Sequence, residues 1–394
     1  MDKLTTDPKT VALAIETIIR KAKEKPASAR KKKLIPLLEK ARKEAAGTRR
    51  GKLFMPRNPV TGQVQAAMAG HETANIPAVG AIAPFEPFSN SDPGWAEVAL
   101  ALLDRLIRGK AKFVDFQTAT DFQFKLSNTA GVALFGDWGT GKPAAERVAN
   151  QIDARKPDTI VHLGDIYYAG EEEEAEDRFL KKLPRSASIT RKFALNGNHE
   201  MYSGGHGYFE KVLPALGQPA SYFCLMNDHW RLIGLDSAFD DKKYKGKQMT
   251  WLRAQLVDDG RKNVLMTHHQ GFSVFEAGDV DGEIFTKVKP LVDAGKIHAW
   301  FWGHEHKHVI YGKHQNVLAR CIGHGAIPYS PPVKTLPVKD VPVAFVNRRT
   351  VDGAHCVNGF AMLEFDGPRL HVTYVDDDGG VAFEEDLDVE IAKP

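Results

Sequence analysis

The side chains able to do chemistry in this 394-residue chain fall at five places, each just after a short apolar run. Val132–Phe135 leads into Gly136-Asp137-Trp138-Gly139, and Thr159–Leu163 into Gly164-Asp165-Ile166-Tyr167-Tyr168. Lys192–Leu195 leads into Asn196-Gly197-Asn198-His199-Glu200, Asn263–Met266 into Thr267-His268-His269, and Ala299–Trp302 into Gly303-His304-Glu305-His306. Two Asp, one Asn, several His and a Tyr form a mixed oxygen and nitrogen donor set. Such a set suits Fe, Mn, Zn or Co better than Ca or Mg, which favour all-oxygen shells. It has enough donors for two ions. A pair of ions about 3.5–4 Å apart can share a carboxylate, lower the pKa of a bound water and polarise a phosphoryl oxygen. His304 and His306 are two residues apart, a spacing that puts both imidazoles on one side of an extended chain. Each fragment is a weak signal alone; their order, each at the end of an apolar run, carries the reading.

Those runs must be positioned by something. From about residue 129 short β-branched or aliphatic stretches alternate with helical ones, which predicts an α/β domain. Helices are expected from Pro143, a residue suited to a first turn, and over Gly207–Leu216, Gln248–Leu256 and Glu283–Ala294. Leu232–Leu235 is a further strand. Past residue 317 the helical signal fades, and Val317–Ile322, Phe360–Phe365, Arg369–Tyr374 and Val381–Phe383 read as strands of a late antiparallel part. In open α/β sheets ligands bind beyond the carboxyl ends of the strands, so five such ends side by side build one polar site.

The remainder reads as an N-terminal region, residues 1–128, ahead of a catalytic domain, residues 129–394. Residues 1–52 look helical, with Val11, Leu13, Ile15, Ile18 and Ile19 in one stripe, Leu34, Ile35, Leu37 and Leu38 beginning another, and Pro26 and Pro36 as punctuation. Residues 53–93 read as an extended connection and 94–109 as an amphipathic helix. Over residues 1–52 sixteen Lys and Arg stand against six Asp and Glu, a net +10, which leaves the rest at −7 within a total of +3. A basic arm on an acidic body attracts anions. The run Arg30–Lys33 reads first as a solvated helix face; no aromatic residue interleaves it, so contact with nucleic acid or an anionic surface is the lesser reading.

Hydrophobic residues at 43% and charged ones at 26% are ordinary for a globular chain with a real core. The first residues lack a secretory pattern, and no stretch approaches the roughly 18 apolar residues of a membrane span. Cys224, Cys321 and Cys356 are too few and too scattered for a disulfide framework or a zinc–cysteine site. A reducing, cytoplasmic location is the expectation.

The five blocks together resemble the calcineurin-like metallophosphoesterase superfamily and, within it, the purple acid phosphatases. The resemblance spans about residues 130–310. It implies a four-layer α/β/β/α sandwich, here with a helical N-terminal extension, and hydrolysis of phosphate esters by a metal-bound hydroxide, monoesters first and diesters as the alternative. The first block departs from the common Asp-x-His, since Gly139 stands at the His position. In the purple branch a tyrosine three residues after the second-block Asp makes up for it, which selects Tyr168. The resemblance then implies Asp137, Asp165, Tyr168 and His306 on one ion, and Asp165, Asn198, His268 and His304 on the other. It implies ferric iron at the tyrosine position, with Fe, Mn or Zn beside it. His199 would protonate the leaving oxygen or stabilise the transferring phosphoryl group. His268 is favoured over His269 by spacing, which leaves His269 for the outer shell or the substrate. His206, in Ser203-Gly204-Gly205-His206-Gly207, is a second weak substrate contact. Gly136–Lys142 nearly spells a phosphate-binding loop, but Pro143 replaces the hydroxyl that would hold Mg²⁺. The Asp-Arg-Gly of protein serine/threonine phosphatases is absent, because Tyr167-Tyr168-Ala169-Gly170 stands there. A non-enzymatic, metal-stabilised binding module using the basic arm is the reading from a different class.

Overall fold

A computed structural model describes residues 29–46, 108–275, 283–331 and 341–387, with isolated helical positions between 12 and 105. The expected connection over 53–93 lies outside the described residues. The N-terminal helix is described at Ala12, Ile15 and Ile19, all buried, and the one over 94–109 at Val98, Ala101, Arg105 and Arg108. A helix, α1, covers Ala29–Ala46 and runs through Pro36 instead of breaking there. No helix among the described residues is long and apolar enough to cross a membrane. The three cysteines are unpaired and buried.

The chain divides into two units, Met1–Lys110 with Tyr202–Gly204, and Ala111–Met201 with Gly205–Pro394. Residues 111–128, assigned above to the N-terminal region, fall in the second unit. Gln123–Lys125 is a strand hydrogen-bonded in parallel to Phe223–Met226, and Phe122 and Phe124 pack on the core. Nothing in the composition of that segment marked it as part of a sheet.

The second unit holds fourteen strands among its described residues: β1 (Gln123–Lys125), β2 (Gly131–Phe135), β3 (Thr159–His162), β4 (Arg191–Ala194), β5 (Phe223–Met226), β6 (Trp230–Gly234) and β7 (Lys262–Thr267), then β8 (Ala299–Trp302), β9 (His308–Tyr311), β10 (Leu318–Ile322), β11 (Val343–Val346), β12 (Gly359–Asp366), β13 (Arg369–Asp376) and β14 (Val381–Asp386). They form two sheets, ordered β14-β13-β12-β2-β3-β4 and β1-β5-β6-β7-β8-β10-β9-β11. β2, β3 and β4 are parallel neighbours in the first sheet, and β6, β7, β8 and β10 in the second. β12 to β14 add the antiparallel part expected from the late strands.

Alternation along the strands makes the layers. Val132, Leu134, Val161 and Leu163 point from the first sheet into a core shared with Leu232, Val264, Met266 and Phe301 of the second. Ala133, Phe135 and Ile160 point the other way, onto α2 (Pro143–Arg155) through Ala145, Val148 and Ile152. On the far side of the second sheet, Ile233, Leu265 and Trp300 carry α3 (Gln248–Gln255) and α4 (Glu283–Asp293) through Trp251, Leu252, Phe285 and Val288. Two faces per strand and a helix layer outside each sheet give the four-layer sandwich.

Candidate metal centre

The five expected blocks follow the carboxyl ends of β2, β3 and β4 in one sheet and of β7 and β8 in the other. They meet at one end of the sandwich. Their backbone is unusual there: Asp137, Asp165, His304 and His306 have φ of 56°, 74°, 66° and 46°, the left-handed region that costs a residue with a Cβ about 1–3 kcal/mol unless its surroundings impose it. The loops are tied together by main-chain bonds, Asp137 N–H to Gly164 O (3.0 Å) and Gly303 N–H to His268 O (3.0 Å). Several bonds cross between the sheets, among them His304 N–H, which donates to Asp137 Oδ2 at 2.8 Å, and His268 Nδ1, which lies 3.0 Å from Leu163 O. Gly197 is where the chains come closest, since a Cβ there would sit 2.2 Å from Asp165 Oδ1.

The donors form two groups that share Asp165. In the first, the Tyr167 hydroxyl lies 3.1 Å from Asp137 Oδ1, 3.1 Å from Asp165 Oδ2 and 2.9 Å from His306 Nε2. His306 Nε2 is also 3.3 Å from Asp137 Oδ1. In the second, Asn198 Oδ1 lies 2.8 Å from His268 Nε2 and 3.0 Å from His304 Nδ1, and His268 Nε2 is 3.3 Å from Asp165 Oδ1. The tyrosine hydroxyl within this group is that of Tyr167, where the resemblance selects Tyr168. Tyr168 has its ring 5.3 Å from the Arg178 guanidinium and its amide bonded to Glu174 Oε1. Adjacent side chains leave a turn in different directions, and here the turn after Asp165 aims the nearer tyrosine inward.

His199 flanks Asp165. Its amide donates to Asp165 Oδ1 at 3.1 Å, its Nδ1 is 2.6 Å from Tyr168 O, and its Nε2 is 3.7 Å from Asp165 Oδ2. A carbonyl only accepts, so Nδ1 carries the proton and Nε2 faces the carboxylates. His269 is buried against the second group, its ring centroid 4.6 Å from that of His304. His206 pairs with Glu210 at 2.8 Å and belongs to neither group.

Electrostatics single out the same residues. Burial, then the charge of Asp165, raises Asp137 well above the usual carboxylate range despite an opposing pull from His268. Burial also pushes Asp165 up, but His268, His199 and His304 outweigh it and hold that carboxyl low. Burial with Asp137 and Asp165 raises the Tyr167 phenol far above its normal value. Burial depresses His199, His269 and His304.

These residues fit cations. One hydroxyl proton on Tyr167 cannot serve two carboxylate oxygens and an imidazole nitrogen at once. In the neutral ring, with the Nδ1–H of His268 held by a carbonyl, Nε2 presents a lone pair to another acceptor, Asn198 Oδ1, at 2.8 Å. Acceptors converging on acceptors in a buried site call for positive charge between them. Among the described residues, Asp137, Asp165 and His306, and His268, His269 and His304, each have donor atoms within 4.8 Å of one another.

A sixth loop, outside the five motifs, supports them. After β6, Asp236 accepts from Asn196 Nδ2 (3.1 Å) and from the amides of Ala238 and Phe239 (2.9 Å each), and Ser237 Oγ meets His269 Nδ1 at 3.0 Å. The signal was the same one, an apolar run (Leu232–Leu235) ending in polar residues.

Residues 131–308 match the family model described as calcineurin-like phosphoesterase. No curated protein sequence matches the chain. Among solved structures, purple acid phosphatase PPD1 from yellow lupin (Lupinus luteus) seeds superposes with a TM-score of 0.54 at 18% identity, over 66% of this chain and 54% of that one. GAP50, described as the anchor in the inner membrane complex of Plasmodium, superposes with a TM-score of 0.50 at 15% identity, over 67% of this chain and 90% of that one. At these identities the likeness is one of fold, and about half of the lupin enzyme's length is matched. The family model covers all five loops of the candidate centre, and over residues 131–308 this chain is similar to the calcineurin-like phosphoesterases.

Proposed function

We propose that the chain hydrolyses phosphate monoesters at a two-metal centre, with Asp137, Asp165, Tyr167 and His306 around one ion and Asp165, Asn198, His268 and His304 around the other. The observation that carries this reading is the orientation of Asp165, whose Oδ2 faces Tyr167 and whose Oδ1 faces His268, one oxygen toward each group. The oxygen-rich first group, with a phenol, suits a hard trivalent ion such as ferric iron; the second suits Fe, Mn or Zn. When bound, such a pair supplies charge stabilisation at the phosphoryl oxygens and activates water. His199, its Nδ1–H held by Tyr168 O, turns Nε2 toward the site; as the imidazolium, a form that the Asp165 charge favours, it gives its Nε2 proton to the leaving oxygen and is left neutral. Partly exposed Asn198, His304 and His306 form the open side by which an ester enters. The choice of monoesters rests on the purple acid phosphatase resemblance, and the cytoplasmic assignment on the unpaired cysteines.

The test pairs elemental analysis with turnover of p-nitrophenyl phosphate and its bis-ester. About two transition-metal ions per chain and faster monoester cleavage support the proposal. Faster diester cleavage moves the substrate class and leaves the site intact. Two ions with no turnover of either ester would favour a metal-stabilised binding module, and no more than one ion after reconstitution would sink the two-metal reading.

A further inference from the structure

The residue the two groups leave over is His269. It is 1% exposed, and its Nε2 has no hydrogen-bond partner. An imidazole nitrogen buried without a partner costs about 1–3 kcal/mol, so its position calls for a reason. The ring is not in an apolar pocket of its own: its centroid is 4.6 Å from that of His304 and 4.9 Å from that of His268. One nitrogen from each of the three rings lies within 4.8 Å of the others. His269 Nδ1 is engaged by Ser237 Oγ at 3.0 Å. Ser237 Oγ also accepts the His269 amide at 3.1 Å, which pins ring and backbone to one residue.

We infer that His269 is a third imidazole ligand of the second metal position, binding through Nε2, with Ser237 as the residue that orients it. The inference rests on the two-metal reading and deepens it. The arrangement repeats that of His268, where Nδ1 is held by Leu163 O and Nε2 is turned to the donors. Metal-binding imidazoles characteristically donate their other N–H to a neighbouring acceptor, which fixes the tautomer and leaves a lone pair for the ion. His269 is buried where the neighbouring His304 is partly exposed. Three imidazoles with Asn198 and one oxygen of Asp165 make the second position nitrogen-rich. It should select borderline divalent ions such as Zn, Co or Fe(II) over Mg and Ca.

The decisive measurement is histidine ring ¹⁵N NMR of the full chain loaded with Zn²⁺. His269 is expected to show a metal-bound Nε2 and a protonated Nδ1; a protonated Nε2 would overturn the inference whatever the variants do. Titration of the metal-free chain with Zn²⁺ gives the second line. His269→Asn should weaken one of two binding events about 10- to 100-fold and leave the other unchanged, and Ser237→Ala should weaken the same event less. Two events unchanged in His269→Asn would overturn the assignment. A Zn-bound Nε2 in a chain that cleaves no phosphate ester would sink the phosphoesterase proposal and keep this ligand. Ester cleavage with a protonated Nε2 would do the reverse.

Discussion

At the residue scale, most of the centre follows from residue type and order. Asp137, Asp165, Asn198, His268, His304 and His306 are each where a polar side chain ends an apolar run, and the structure gathers all six. Spacing selects Tyr168 where the structure brings the Tyr167 hydroxyl, because spacing counts residues and does not give direction. Asp165 has a φ of 74°, and a turn that departs so far from extended backbone decides which of two adjacent tyrosines faces inward. Tyr167→Phe should therefore weaken the first metal position about 10- to 100-fold, the range for losing a group that contacts ligand and ion alike. If the ion is ferric, the variant also loses its phenolate-to-iron visible band. Tyr168→Phe should keep both metals and the band; loss of either on that substitution would restore the spacing-based choice. His199→Ala separates chemistry from binding. It should retain two metals per chain and lower kcat about 10²- to 10⁴-fold, the usual contribution of a positioned proton donor, and an unchanged kcat would remove His199 from the proposal.

At the element scale, the strand ends were legible and their partition was not. β2, β3, β4, β7 and β8 were located because each contains an apolar run that leads into a polar block. Which strands share a sheet depends on long-range pairing, and the sequence carries no local mark of it. β1, β5, β9 and β11 are short or partly polar and escaped notice. So did the loop after β6, whose polar residues build no metal group and only hold the other loops. Asp236 gives that loop its stiffness, and burial already raises its carboxyl above the usual range. Asp236→Ala would leave Asn196 Nδ2 and two amides without their acceptor, at a cost of about 2–3 kcal/mol of stability by urea denaturation. Metal content should fall with it, since Asn196 begins the loop that carries Asn198; a variant of full metal content and stability would make the loop dispensable. Gly197→Ala tests the close approach. Its Cβ would sit 2.2 Å from Asp165 Oδ1, so the β3 and β4 loops must separate. About 1–3 kcal/mol should be lost to overpacking, along with binding at both metal positions, because the displaced carboxylate is the one they share.

At the scale of the whole molecule, the centre is a tie between two sheets. The first group takes Asp137, Asp165 and Tyr167 from the loops of one sheet and His306 from the other. The second takes Asn198 from one and His268 and His304 from the other. Only a few direct bonds span the gap at this end, among them His304 N–H to Asp137 Oδ2 and the contact of His268 with Leu163 O. Elsewhere the sheets are held by the apolar core of Val132, Leu134, Val264 and Phe301 and by the buried pair of Arg320 with Glu385, all independent of metal. Removing the ions should leave the sandwich folded and loosen one end. Buried carboxylates, with Asp137 raised by burial and by Asp165, then face each other without a cation. An ion at about 1,000 times its dissociation constant adds roughly 4 kcal/mol to the folded state. Chelation should therefore lower the urea midpoint measurably and reversibly. Amide exchange should speed up at residues 136–139, 164–168 and 303–306 while the amides of β13, separated from β2 by β12, keep their protection. Uniform acceleration across both sheets would mean that the ions support the whole core. No change at any amide would mean that the seven donors do not bind across the gap, and the two-metal reading would lose its structural basis.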